Sequence, residues 1–134
     1  MERKWWIAGV ILIVLSIILG AMGAHALKEV YKLSPEQLSS FETGVRYQIY
    51  HGIAFLAMPL IYSKLQVSGR GVFFLLLFGV ILFSGSIYGL TAGNICHTES
   101  LKKVFGPITP IGGVLMIIGW VICLFQLIKW RRND

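Results

Sequence analysis

Ten consecutive residues, Glu42 to His51, hold most of the chemistry this chain could perform. Glu42 precedes Arg46 by four positions, Arg46 precedes Tyr50 by four, and Tyr47 precedes His51 by four, with Gln48 between them. Side chains four apart share a helix face, and an acid four residues ahead of a base is the favourable order for an intrahelical ion pair. Wound as a helix, the segment carries two adjacent polar stripes. Its C-terminal continuation is hydrophobic, so Arg46 falls inside an apolar helix. There an arginine costs roughly 2.5–3.5 kcal/mol at the bilayer centre on insertion scales. The cost is lower near the interface, where the long side chain can snorkel. An ionisable group in such a place marks a functional position by default. The plainer expectation is a buried clasp, in which Arg46 donates to Glu42 and to carbonyls at helix ends.

The remaining polar groups converge on the same level. His25 closes the first apolar segment, Ser84, Ser86 and Tyr88 lie toward the end of the third, and Thr109 opens the fourth. At about 1.5 Å of rise per residue, His51 and Tyr88 reach similar depths. The expectation is a polar layer in the outer half of the bundle, fed by four helices. Two histidines on neighbouring helices can ligate haem or a metal, which makes His25 and His51 candidate ligands. The only carboxylate near them, Glu42, is the expected partner of Arg46, so a metal site is hard to complete. No cofactor is expected, each histidine instead bonding within the bundle. Phosphate-loop and Gly-x-Gly-x-x-Gly patterns are absent, and no second proton-transfer group can be assigned beside Glu42 or His51. A non-enzymatic protein is therefore expected.

The elements that must carry these residues follow from composition. Of 134 residues, 56% are hydrophobic and only 13% charged, against about a quarter charged in soluble domains, and the mean hydropathy is +0.75. Disorder, a disulfide scaffold and most soluble enzymes are excluded. The net charge of +6 would suggest nucleic acid in a soluble chain. Here the basic residues flank apolar runs, as Arg3-Lys4 and Lys129-Trp130-Arg131-Arg132 do, which suits anchors at a bilayer surface and not nucleic-acid binding. Four segments, about 5–27, 44–62, 71–93 and 107–128, have the roughly 20 mostly apolar residues a helical span needs. Period-2 alternation is missing, which argues against a barrel. The expected fold class is all-α, one transmembrane four-helix bundle.

Four spans put both termini on one side. That side carries Arg3, Lys4, Lys64, Arg70, Lys129, Arg131 and Arg132, the other Lys28, Lys32, Lys102 and Lys103. The excess predicts cytoplasmic termini, with Trp5, Trp6 and Trp130 at the inner interface. Arg3-Lys4, an apolar run and Ala24-His25-Ala26 imitate a cleavable leader, but the run is longer than a leader's apolar core, so a retained first span is expected. Cys96 and Cys123 fall at opposite ends of the bundle, too far apart to bridge.

Ser34-Pro35-Glu36-Gln37 predicts a capped start with proline at the first helical position, and hence one helix from Pro35 into the second span. A short helix near Glu99–Val104 is expected before Pro107 and Pro110 open the fourth span. Gly85, Gly89 and Gly93, and Ser16, Gly20 and Ala24, repeat at four-residue spacing. Small residues so spaced let helix backbones approach in lipid, either within one chain or between copies in a homo-oligomer.

The chain resembles a small bacterial inner-membrane protein family of unknown function, the one that includes YgdD and YwdK. The motifs are Gly20-Ala-Met-Gly-Ala-His-Ala-Leu27, Phe41-Glu-Thr-Gly-Val-Arg-Tyr-Gln-Ile-Tyr-His51, Phe83-Ser-Gly-Ser-Ile-Tyr88 and Gly106-Pro-Ile-Thr-Pro-Ile-Gly-Gly113, followed by Gly119-Trp120. They come in the family's order and cover nearly the whole chain; Met22 and Gly52 depart from it mildly. The resemblance implies a four-helix plasma-membrane protein and brings no activity, cofactor or catalytic residue. The expectation is a non-enzymatic membrane protein whose polar cluster organises the bundle or a partner interface. A small oligomeric channel or carrier is the alternative, and haem or metal binding a third.

Overall fold

A computed structural model describes residues 2–131. Arg132, counted above among the inner-side cations, lies outside the described residues. Among those described there is no strand. Helix α1, Glu2–Met22, runs on into a π-helical segment, Gly23–Val30, and is followed by α2, Pro35–Leu65, α3, Arg70–Ile95, the short α4, Glu99–Phe105, and α5, Ile108–Arg131. Three of these, Glu2–Val30, Arg70–Ile95 and Glu99–Trp130, are long and apolar enough to cross a membrane. The 31-residue α2 is long enough but more polar than the others.

Local chemistry explains the boundaries. Ser34 caps α2 by accepting from the Gln37 N–H at 3.2 Å, and the Gln37 side chain accepts from the Ser34 N–H at 3.0 Å, the reciprocal pair expected from the sequence. At the end of α3, His97 turns left-handed with φ of 51°. This lets the Thr98 N–H reach back to the Gly93 carbonyl at 2.9 Å, a bond that satisfies an otherwise orphaned helix-end acceptor. Short α4 then lays Phe105 over Gly89, where an added Cβ would come within 2.6 Å of the ring. The π segment has no counterpart in the sequence reading. Its wider turns are closed by bonds such as Tyr31 N–H to the Ala26 carbonyl at 3.0 Å, and the chain turns left-handed just beyond it at Lys32, φ 50°.

The long helices pack in series, α1 on α2, α2 on α3, and α3 on α5, with α2 also touching α5. Trp5 is 2% exposed and lies against Phe55 and Phe73, each at 4.9 Å between ring centres, and Tyr62 at 5.9 Å. This cluster ties α1, α2 and α3 at one end of the bundle. Tyr62 is itself bonded to Gln126 near the end of α5, so the start of α1 and the end of α5 lie at the same end. Trp5 is thus packed inside the bundle at that end, among the rings of α2 and α3. Its neighbour Trp6 is 45% exposed and Trp130 38%.

The small-residue stripes pack only in part: Gly89 lies under Phe105, Gly93 lies against Leu101 and Lys102, and Ser16 is buried, whereas the other members are open. Nothing lies within 4 Å of a Cβ built on Gly85, Gly20 meets only Val45 at an ordinary 3.8 Å, and Ala24 is exposed. The close backbone approaches between long helices are elsewhere. A Cβ on Gly9 would stand 2.8 Å from the Gly52 carbonyl oxygen, and one on Gly112 would meet the Gly79 carbonyl oxygen at 2.8 Å. These contacts set the registers of α1 on α2 and α3 on α5. Four-residue spacing along one helix could not reveal them, because each is made by one glycine on each of two helices.

Candidate functional site

The interior polar residues form hydrogen bonds that tie helix to helix. Gln48, 4% exposed on α2, donates through Nε2 to the Leu12 carbonyl of α1 at 3.0 Å and accepts through Oε1 from the Tyr88 hydroxyl of α3 at 2.7 Å. One side chain thereby joins three helices. The Leu12 carbonyl also accepts from the Ser16 hydroxyl at 2.7 Å. Ser84 on α3 donates to the Gly44 carbonyl on α2 at 2.7 Å, the approach being possible because Gly44 has no side chain. Ser86 and Thr109 share a 2.6 Å bond between α3 and α5.

His51 closes the last side. Trp120 on α5 donates its indole N–H to His51 Nε2 at 3.0 Å, and His51 Nδ1 lies 2.8 Å from the Tyr47 carbonyl. An indole nitrogen can only donate, so Nε2 must be the acceptor and the ring proton sits on Nδ1. Both ring nitrogens are then used, and the imidazole is held neutral by its partners. A metal or haem iron at Nε2 would have to displace the indole. No group of three or more metal-ligating side chains occurs among the described residues.

Other expected members of the cluster lie elsewhere. His25 is exposed on the π segment, so α1 supplies the Leu12 carbonyl and the Ser16 hydroxyl bonded to it, but no histidine, to the interior. Glu42 and Arg46 are exposed on α2, and among the described residues the one ion pair is Lys102–Glu99 at 2.9 Å. The expected buried clasp between Arg46 and Glu42 is not formed. The physical reason is the helix face: Gln48, pointing into the bundle, lies two residues from Arg46, so Arg46 is turned about 200° away from it. Tyr50 is 56% exposed on that outward side and Tyr47 41% exposed beside α3, where its ring meets Phe83 at 5.0 Å.

Leu12 stands seven residues past Trp5, about 10 Å of rise, so the Gln48 bonds lie about two helical turns along the bundle from the Trp5 cluster. At the end of the bundle that holds Trp5, the Tyr62 hydroxyl donates to Gln126 Oε1 at 2.8 Å. The sequence reading missed Tyr62 and Trp120 as participants. Trp120 carried a usable signal, being an indole inside a span, where its N–H needs a partner.

Two cavities border these groups. A groove of about 250 Å³ runs along Gly20, Gly23, Phe41 and Val45, with Glu42 and Arg46 on its rim. A cleft of about 400 Å³ between α2, α3 and α5 is lined by Tyr47, His51, Phe83, Met116 and Trp120 among others.

Comparison with known proteins agrees with this architecture. Residues 19–113 match the family model described as "Protein of unknown function (DUF423)". A UPF0382 membrane protein of Staphylococcus epidermidis is 39% identical over 83% of this chain and 84% of its own length. The UPF0382 membrane protein C1782.12c of Schizosaccharomyces pombe is 40% identical over 82% of this chain and 89% of its own. YwdK of Bacillus subtilis, likewise a UPF0382 membrane protein, is 34% identical over 92% and 95%. No solved structure matches. With the apolar helices described above, these similarities mean that the chain is an all-α integral membrane protein belonging to the DUF423 (UPF0382) family, whose function is unknown.

Proposed function

We propose that this chain is a non-enzymatic, multi-pass plasma-membrane protein whose Gln48-centred network locks the bundle, while the outward face of α2 serves as its partner interface. The reading is carried by one division. Every buried side-chain nitrogen or oxygen among the described residues has a hydrogen-bond partner, whereas Glu42, Arg46 and Tyr50 are turned outward. Interior groups so fully engaged act as interhelical ties, and their replacement is expected to affect stability. Groups on the outside face whatever surrounds the bundle. In this reading α2 also crosses the bilayer, and both termini are cytoplasmic. The excess of Lys and Arg on the inner connections supports that orientation.

The test is the environment of α2's outward face in native membranes. Nitroxide labels at Tyr50 and Ile53 are compared with labels at Val14 on α1 and Ile117 on α5, all four positions being exposed in the isolated chain. The proposal predicts high accessibility to dissolved oxygen at Val14 and Ile117, as for lipid contact, and low accessibility at Tyr50 and Ile53. Equal, lipid-like accessibility at all four would overturn it.

A further inference from the structure

The outward face of α2 has more order than a charged patch. Arg46, Tyr50, Ile53, Ala57 and Leu60 follow at spacings of four, three, four and three, and all five are exposed, Tyr50 and Ile53 at 56% and Leu60 at 66%. That alternation follows one face along the helix, as the exposed residues Ile7, Ile11, Val14 and Ile18 of α1 and Val114, Ile117, Val121 and Leu124 of α5 also do; the α2 face differs from those in carrying Arg46 and Tyr50. Glu42 extends the stripe one further turn at the capped end. Among the described residues, the stripe lies on the one long helix that is not apolar enough to be a candidate span by itself. Of the four long helices, α2 is the least suited to face lipid, and this side of it is left bare.

Charge identifies the occupant. Glu42 and Arg46 share the stripe but make no ion pair with each other. A surface carrying one acid and one base, each unmatched, is complementary to a copy of itself related by a two-fold axis, since residue i then meets j while j meets i. Copies inserted in one membrane share an orientation, so the axis runs along the membrane normal and the two α2 helices are parallel. Helical side chains lean toward the N-terminus of their helix, and the arginine, the longer of the two, reaches up toward the Glu42 carboxylate one turn nearer the capped end. We infer that a second copy of this chain docks on the outward face of α2, through the 46–50–53–57–60 stripe, with Arg46 of each copy pairing with Glu42 of the other.

The inference rests on the reading of that face as an interface and names its occupant. It is tested with the full chain in native membranes, in a Cys96→Ser background that leaves only buried Cys123. Ile53→Cys and Ala57→Cys are expected to cross-link into dimers on oxidation, and Ile117→Cys on α5 is not. Arg46→Glu or Glu42→Arg alone should lower the Ile53→Cys yield at least about tenfold, and co-expressing the two variants should restore it to within about twofold. Circular dichroism checks that each charge variant is folded. If either is not, the Ile53 and Ile117 comparison decides alone. No dimer at Ile53, or equal yields at Ile53 and Ile117, would overturn the inference. So would a yield unmoved in folded Arg46→Glu, whether the guanidinium is held by lipid phosphate or by a different protein. Low oxygen accessibility at Tyr50 without Ile53 cross-links would overturn the second copy and leave the covered face standing, whereas high accessibility would remove both.

Discussion

Gln48 has the heaviest demands of any side chain in the bundle. Its amide donates to one helix and accepts from another, 3.0 Å from the Leu12 carbonyl and 2.7 Å from the Tyr88 hydroxyl. Interhelical hydrogen bonds in membrane proteins average about 0.6 kcal/mol and reach about 1.7, because partners also exist in the unfolded chain. Tyr88→Phe is therefore expected to cost about 0.5–1.5 kcal/mol in detergent unfolding, leaving Gln48 Oε1 unpaired. Gln48→Leu should cost more, since it strands the Tyr88 hydroxyl as well as losing the bond to Leu12. In a double-mutant cycle the pair should be non-additive by about 0.5 kcal/mol or more, and strict additivity would mean that the two side chains do not interact. Trp120→Phe is a separate test, removing the donor to His51 at a cost of about 1 kcal/mol. The sequence already pointed to Gln48, Ser84, Ser86, Tyr88, His51 and Thr109 as polar groups of a shared region. Their partners were not legible, because a backbone carbonyl such as that of Leu12 has no sequence signature. Glu42 and Arg46 were misassigned to the interior because four-residue spacing tells which residues share a face, not which way that face points.

At the scale of elements, the bundle is held by glycines that oppose one another across helix pairs and by aromatic rings at one end. Gly112 and Gly79 bring α3 and α5 close enough that a Cβ on Gly112 would meet the Gly79 carbonyl oxygen at 2.8 Å. Gly112→Leu is expected to destabilise by about 1–3 kcal/mol or to dislodge α5 altogether, read as lost thermal stability in detergent. Gly85→Leu, with nothing within 4 Å of its Cβ, should change stability by less than about 0.5 kcal/mol. If the two substitutions had equal effects, α3 and α5 would not pack in this register. Trp5→Ala should be among the most damaging single changes, about 3–5 kcal/mol, since Trp5 contacts Phe55, Tyr62 and Phe73 together. Three of the long helices were legible from apolar length, the start of α2 from its Ser34 cap, and α4 from its position between Thr98 and Pro107. The cap at Ser34 was readable because its chemistry is local. The π segment was not: Gly23–Val30 contains nothing that separates a five-residue bond from a four-residue one, and the choice is made by packing, with Phe41 pressed against Gly23.

For the whole molecule, the account separates two kinds of polarity. Buried amides and hydroxyls link helices whose apolar sides offer little preference for one another over lipid, and the exposed acid and base of α2 face outward. Composition alone gave the membrane setting, since a chain with 13% charged residues lacks the charge to cover a water-facing surface. How the polar groups are divided between inside and outside depended on the tertiary rotation of α2, which only the packing of α1 and α3 against it determines. The most direct measurement compares unfolding free energies of Gln48→Leu and Arg46→Met, both in detergent dilute enough in protein to hold the chain monomeric. The account predicts a loss of about 1–3 kcal/mol for Gln48→Leu and a change within about 0.5 kcal/mol for Arg46→Met. An Arg46→Met loss as large as that of Gln48→Leu would contradict it, for it would mean that the guanidinium is part of the interior lock.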